Sequence, residues 1–198
     1  ADLVVPVPDS GVPAALGYAE KSKKDFELGL IRNHYVGRTF IEPTQSIRSL
    51  GVKLKLNSTK TIVKNKSIIL IDDSLVRGTT CHKIVKMLYE NGAKEVHVRI
   101  ACPEIIYPDF YGVDMPTREE LLAYKKDNNE MCKYINAKTL KFLSLKGLYK
   151  ALINEKRISS YPQFSDHYFT GDYPIKPLDK IEGIKIKQLS LLSGKSNN

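Results

Sequence analysis

The sequence predicts an α/β fold built on a central, mostly parallel sheet flanked by helices. Three observations carry this. Ile68-Ile69-Leu70-Ile71 is an unbroken apolar run, the pattern of a strand covered on both faces. Cys81, Ile84, Val85 and Leu88 recur at helical spacing and form one apolar stripe. A second strand pattern, Glu95 to Cys102, follows that helix. Strand, helix and strand in this order make a parallel crossover unit.

The other elements follow along the chain. Leu3 to Val7 reads as a buried strand that ends in the turn Pro8-Asp9-Ser10-Gly11. Val12 to Lys24 reads as a helix, with Val12, Ala15, Leu16 and Ala19 on one face and Pro13 in its first turn. Arg32 to Leu56 has irregular apolar spacing, with Gly, Arg, Lys, Thr and Ser distributed through it. It is expected to be a long, flexible functional loop, with a helical turn possible at Thr44 to Leu50. The helix that opens at Thr79 stops at Asn91-Gly92. Thr117 is expected to start another helix, with Glu119 and Glu120 at its positive end. Thr139 to Leu145 reads as a strand and Lys146 to Glu155 as a helix. Beyond Arg157 the apolar pattern fades, and Ser190 to Asn198 reads as a disordered tail. The expected organisation is a body over residues 1–156 and a C-terminal extension over residues 157–198.

Composition narrows the function classes. The chain has 198 residues, 42% hydrophobic and 27% charged, which suits one large globular domain. No apolar run is long enough to cross a bilayer, so no membrane association is expected. The opening residues read as the approach to a core strand and not as a signal peptide. Cys81, Cys102 and Cys132 are widely spaced lone thiols. They point to a reducing, cytoplasmic setting and away from a disulfide framework or a zinc site. The net charge of +9 attracts polyanions. No basic cluster is interleaved with aromatics, so phosphorylated small molecules fit this charge better than nucleic acid does. His34, His82, His97 and His167 show no metal spacing and are expected on surfaces or helix faces. Tyr107, Phe110 and Tyr111 are expected in core or hood packing and not as a base-stacking platform, and Glu104, just after a strand end, is a site candidate.

The chemistry concentrates in Ile68 to Thr80. The apolar strand ends in two carboxylates, Asp72 and Asp73. Ser74-Leu75-Val76-Arg77-Gly78-Thr79-Thr80 then leads into a helix. Ligands of open parallel sheets sit at that end of the strands. Backbone N–H groups of such a loop can surround a phosphate, with Thr79 and Thr80 adding hydroxyls and Gly78 allowing close approach. Two acids beside a phosphate are repulsive unless they receive sugar hydroxyls or hold Mg²⁺ through water. The plain alternative is a strand-to-helix turn with a capping Asp; a bare Asp-Asp pair would favour it, the full run does not.

This run resembles the signature by which type I phosphoribosyltransferases bind phosphoribosyl pyrophosphate (PRPP). Asn33-His34-Tyr35-Val36-Gly37-Arg38-Thr39-Phe40 and Tyr111-Gly112-Val113-Asp114-Met115-Pro116 flank it in order. Together the three motifs resemble the C-terminal half of the amidophosphoribosyltransferases (glutamine PRPP amidotransferases), over about residues 1–175. The resemblance implies the type I phosphoribosyltransferase fold. It also implies a glycosyltransferase activity that makes 5-phosphoribosylamine and pyrophosphate from PRPP and ammonia, at the first committed step of purine synthesis.

Residue roles are carried over from that resemblance. Pro8, Asp9, Ser10 and Gly11 match the pyrophosphate loop. Asp72 and Asp73 match the acids for the ribose hydroxyls and Mg²⁺, with Ser10 a further metal position. Ser74, Arg77, Gly78, Thr79 and Thr80 match the 5-phosphate loop. Tyr35 to Leu56 match a loop that closes over PRPP, within which Arg38 and Lys53 are candidate catalytic cations for the pyrophosphate. Arg32 and Pro116 match positions near the feedback site for purine nucleotide inhibitors. The family's upstream glutaminase domain, its source of ammonia, is not represented here, so a fragment of a larger enzyme is expected. A homotetramer is likewise implied. Some members hold an iron–sulfur cluster through a cysteine just before Phe-Tyr-Gly. That position is Asp109 here and no cysteine follows Cys132, so no cluster is expected. His34 and Arg32 replace an Arg and a Lys of relatives. Two other readings compete: a PRPP-sensing regulatory module of the same fold without catalysis, and a phosphoribosyltransferase with a base as acceptor.

Overall fold

The computed structural model describes residues 1–33, 56–113, 115 and 117–175. His34, Arg38, Lys53, Asp114, Pro116, the expected helical turn at Thr44 to Leu50 and the expected tail lie outside the described residues.

Five strands form one wholly parallel sheet: β1 (Leu3–Pro6), β2 (Asp25–Phe26), β5 (Ser67–Asp72), β6 (Glu95–Ile100) and β7 (Thr139–Phe142), in the order β2-β1-β5-β6-β7. The apolar run at Ile68 is therefore the middle strand, as its pattern predicts. Every residue of β5 is buried, and its register places Val5 beside Leu70 and Leu70 beside Val98. A second, two-stranded antiparallel unit pairs β3 (Leu30–Arg32) with β4 (Leu56–Ser58). A single turn of helix, α2 (Lys60–Val63), leads from β4 to β5.

The two faces of the sheet differ. On one, Leu3, Val5, Ile68, Leu70, Val96, Val98 and Leu140 meet Cys81, Ile84, Val85 and Leu88 of α3 (Thr79–Glu90) in the main core. On the other, Val4, Ile69 and Ile71 meet Ala15 and Ala19 of α1 (Val12–Ser22). That contact is narrow because both helix residues are small. Leu16, expected on the buried face, is 52% exposed instead. β6 buries alternate residues only, Val96, Val98 and Ile100, which is the pattern of a strand with one covered face.

The expected helix at Thr117 is three pieces. A 3-10 turn spans Arg118–Glu120, then come α4 (Leu122–Lys125) and α5 (Asn128–Tyr134). Leu121 interrupts the first two because it adopts an extended conformation and is fully buried. Asp127 and Glu130 start α5 with a reciprocal capping box. α6 (Leu145–Ile153) begins at Ser144, whose hydroxyl accepts the Gly147 N–H at 3.0 Å.

Past Arg157 a polar code replaces the apolar one. Arg157 Nε donates to Asp166 Oδ2 at 2.5 Å, and the Tyr149 hydroxyl donates to the same oxygen at 2.8 Å. The short helix α7 (His167–Thr170) follows. Its Tyr168 carbonyl accepts the N–H groups of Ile106 and Tyr107, at 3.0 and 3.1 Å. His167, expected on a surface or a helix face, lies on α7 but is only 1% exposed, and it hydrogen-bonds Asp109 through Nε2 at 2.9 Å. Edge-on contact between Tyr111 and His167, 5.1 Å between centroids, and Phe110 beside Tyr173 complete an aromatic cluster. No helix among the described residues is long and apolar enough to cross a membrane.

Candidate functional site

The site lies where β1 and β5, neighbours in the sheet, reach their C-terminal ends. Pro6 pairs with Ile71, and the Val7 N–H donates to the Ile71 carbonyl at 2.8 Å, so the turn after β1 is tied to the end of β5. That turn is Pro8 to Gly11, and its Pro8–Asp9 peptide is cis. Gly11 closes it by donating to the Val7 carbonyl at 2.9 Å. A Cβ on Gly11 would lie 2.5 Å from the Ile71 oxygen and 2.9 Å from the Val7 oxygen. Glycine is required there by close approach of two backbones.

Asp72 is the last residue of β5 and Asp73 the first beyond it. Asp72 is 8% exposed, whereas Asp73 is open to solvent. The Asp73 N–H donates to Asp72 Oδ1 at 3.0 Å. Burial above all, and then the neighbouring Asp73 carboxyl, push Asp72 up to about 8. Burial and the charge of Asp73 likewise push the Cys102 thiol up to about 12, and burial raises that of Cys81. Neither is an activated nucleophile.

The loop from Ser74 to Gly78 is anchored from below. Leu75 is buried, and the Val76 carbonyl accepts the Leu122 N–H at 2.8 Å. Gly78 is left-handed, φ 74°, and a Cβ there would meet Leu122 at 2.6 Å and Tyr134 at 3.0 Å. α3 starts at Thr79 with no side chain capping it, so its first-turn N–H groups are free for an external acceptor. Arg77, at the outer edge, donates through Nε to Glu120 at 2.6 Å. Arg32, at the end of β3, reaches Asp9 with Nη1 at 2.5 Å.

The sequence-predicted residues thus divide as follows. Pro8 to Gly11 and Asp72 to Thr80 come together at one edge of the sheet, and Arg32 joins them through Asp9. Arg38, Lys53 and Pro116 lie outside the described residues. Leu122, Tyr134 and Glu120 were not expected to take part. Glu120 bore a signal as one of two adjacent acids, read only as a helix-end charge, and it turns out to face Arg77. Glu104 stands apart, lining a cavity of about 360 Å³ with Pro103, Asn128 and Phe142.

No family model matches the chain. Relatives do. Over 98% of its length the chain is 57% identical to the amidophosphoribosyltransferase of Rhizobium etli, covering 39% of that protein. The chain belongs to the amidophosphoribosyltransferase family. Over 94% of its length it is 50% identical to a chloroplastic amidophosphoribosyltransferase of Arabidopsis thaliana, covering 31% of it. The fold agrees. Glutamine PRPP amidotransferase of B. subtilis, solved with ADP and GMP, superposes with a TM-score of 0.76 at 48% identity, over 88% of this chain and 38% of that one. A second structure, described as the allosteric regulatory enzyme of purine biosynthesis, gives 0.72 at 46% identity. The chain therefore spans well under half the length of the relatives it matches.

Proposed function

We propose that this chain is the phosphoribosyl-transfer part of an amidophosphoribosyltransferase, converting PRPP and ammonia to 5-phosphoribosylamine and pyrophosphate. The observation that carries it is the convergence of two loops on neighbouring parallel strands, Pro8 to Gly11 and Asp72 to Thr80, at one edge of the sheet. In this reading the free N–H groups at the start of α3, with Ser74, Arg77, Thr79 and Thr80, receive the 5-phosphate. Asp72 and Asp73 receive the ribose hydroxyls. The Pro8 to Gly11 turn receives the pyrophosphate. The bond from C1 to the pyrophosphate oxygen breaks, the nitrogen of ammonia bonds to C1, and a proton leaves that nitrogen.

Among the described residues no three His, Cys, Asp or Glu side chains gather as a metal set. Asp72 and Asp73, with Ser10, offer oxygen donors only. That suits a hard cation such as Mg²⁺, whose other ligands would come from substrate and water. Mg²⁺ bound there supplies positive charge against the departing pyrophosphate. Arg38 and Lys53 are the proposed cations for the same charge, and Arg32 and Pro116 belong to the proposed feedback site for purine nucleotides. The B. subtilis relative's ADP and GMP support that class of inhibitor. The wider reading comprises a glutaminase domain as ammonia source, assembly as a homotetramer, a cytoplasmic setting, and residues 157–198 as an extension of a 1–156 body.

The test supplies PRPP, Mg²⁺ and ammonium and measures pyrophosphate release. Release that rises with ammonium is expected. PRPP binding without release would favour a sensing module, and no PRPP binding at all would refute the assignment.

A further inference from the structure

The Pro8 to Gly11 turn contains an apparent contradiction. A loop meant for a polyanion carries a carboxylate, Asp9, which is exposed to solvent. A bare carboxylate there would repel pyrophosphate. The fold brings a counter-charge to it from 23 residues away: Arg32 Nη1 lies 2.5 Å from Asp9 Oδ2. The placement of Arg32 is tertiary. Leu30, two residues earlier, is 1% exposed, and β3 is held in register by β4, with Arg32 beside Leu56. The Nε of the same guanidinium is buried and has no acceptor among the described residues. The guanidinium's visible polar partner is the loop acid.

We propose that Arg32 is a positioning residue for the pyrophosphate loop, neutralising and holding Asp9 so that the turn accepts a polyanion. This rests on the proposed function and adds to it. Arg32 acts through Asp9, so its importance depends on the charge of Asp9. An isolated exposed ion pair has little effect on stability, so the effect belongs in ligand affinity.

The experiment is a double-mutant cycle on the whole chain: wild type, Asp9→Asn, Arg32→Gln and the double variant. Calorimetric titration with Mg-PRPP and with Mg-pyrophosphate reads out each protein, and melting curves confirm folding. Arg32→Gln is expected to weaken both ligands about tenfold where Asp9 is present, and less than about threefold where position 9 is neutral. Arg32→Lys keeps the charge and should recover most of the loss. In turnover the loss should appear in KM, with kcat unchanged. Equal losses in both backgrounds, no loss from Arg32→Gln, or no recovery by Arg32→Lys would overturn the proposal. Wild type that binds neither ligand would refute the proposed function itself, whereas intact binding with a flat cycle refutes only the role of Arg32.

Discussion

Two glycines, one at the start of α1 and one within it, should respond to alanine with opposite signs. Gly11 precedes α1, and its added Cβ would stand 2.5 Å from the Ile71 oxygen and 2.9 Å from the Val7 oxygen. Both are backbone atoms of ordered strand ends, so neither can rotate aside. The turn must retreat by at least about half an ångström. That movement pulls on the Val7 to Ile71 hydrogen bond of 2.8 Å, which ties the turn to β5. Overpacking of this kind costs about 1–3 kcal/mol, and a weakened backbone bond adds about 1 kcal/mol. Gly11→Ala should therefore destabilise by about 2–4 kcal/mol, roughly 5–12 °C in Tm for a domain of this size. Gly17 sits within α1, and a Cβ there meets nothing within 4 Å. Gly17→Ala should stabilise by about 0.5–1 kcal/mol, the ordinary helix preference for alanine. Urea unfolding of both variants, with unchanged m-values, is the assay. A Gly11→Ala protein within about 0.5 kcal/mol of wild type would refute the close approach of the turn to β5, while Gly17→Ala shows that the assay resolves an effect of that size.

Asp73→Asn should weaken Mg-PRPP binding with little change in melting temperature, because Asp73 is exposed; unchanged affinity by calorimetry would remove it from the site. Arg157→Leu should destabilise by about 3–5 kcal/mol in urea unfolding, since it strands Asp166, 2% exposed, without its partner. Asp109 gives the pH dependence. Burial alone would raise its carboxyl, but N–H donors from Val113 and Tyr111 and the ring of His167 outweigh this and bring it to about 2. A depressed folded value means stability that is present above about pH 4, the unfolded value, and lost as pH falls toward 2. Asp109→Asn should melt lower than wild type at pH 6, with the difference shrinking between pH 4 and pH 2; a constant difference would refute the carboxylate's role.

What was legible in the sequence follows from which forces write plainly in it. β5 and α3 were readable because burial on two faces demands an unbroken apolar run, and burial of one helix face demands the spacing of Cys81, Ile84, Val85 and Leu88. The loop between them was readable through its run of acids, glycine and hydroxyls from Asp72 to Thr80, whereas the left-handed φ of Gly78 became visible only in the fold. α5 left a different kind of signal: Asp127 and Glu130 spell a capping box, but they stand in a polar stretch with little apolar periodicity. β2, β3 and β4 are two or three residues long, too short for any period to show. Residues 157–175 are held by ion pairs and hydrogen bonds between residues up to 65 positions apart, as with Tyr173 and Pro108. The contact between Arg32 and Asp9 is illegible for the same reason. Charged pairs at long separation leave no pattern in one sequence; only the fold selects which partners meet.

The buried aspartates support the proposal that the end of β5 is a site and not merely a strand terminus. Three aspartates among the described residues are buried: Asp72, Asp109 and Asp166. Asp166 has Arg157, Tyr149 and Thr170 around it, and its carboxyl is held below the usual range. Asp109 has two N–H donors and His167, and it too is lowered. Both are answered from inside the protein. Of the three, Asp72 alone is raised, the acid Asp73 stands beside it, and no ion pair to it occurs among the described residues. Its backbone cannot withdraw, because it pairs with Ile100 in the ladder and its carbonyl accepts the Ala101 N–H at 2.9 Å. A fold that pairs two buried acids with cations, hydroxyls or a ring and gives the third only a neighbouring backbone N–H, at the strand ends where ligands of parallel sheets bind, fits the proposal that Asp72 takes a partner from outside. Sugar hydroxyls and a divalent cation are the partners the proposed reaction brings.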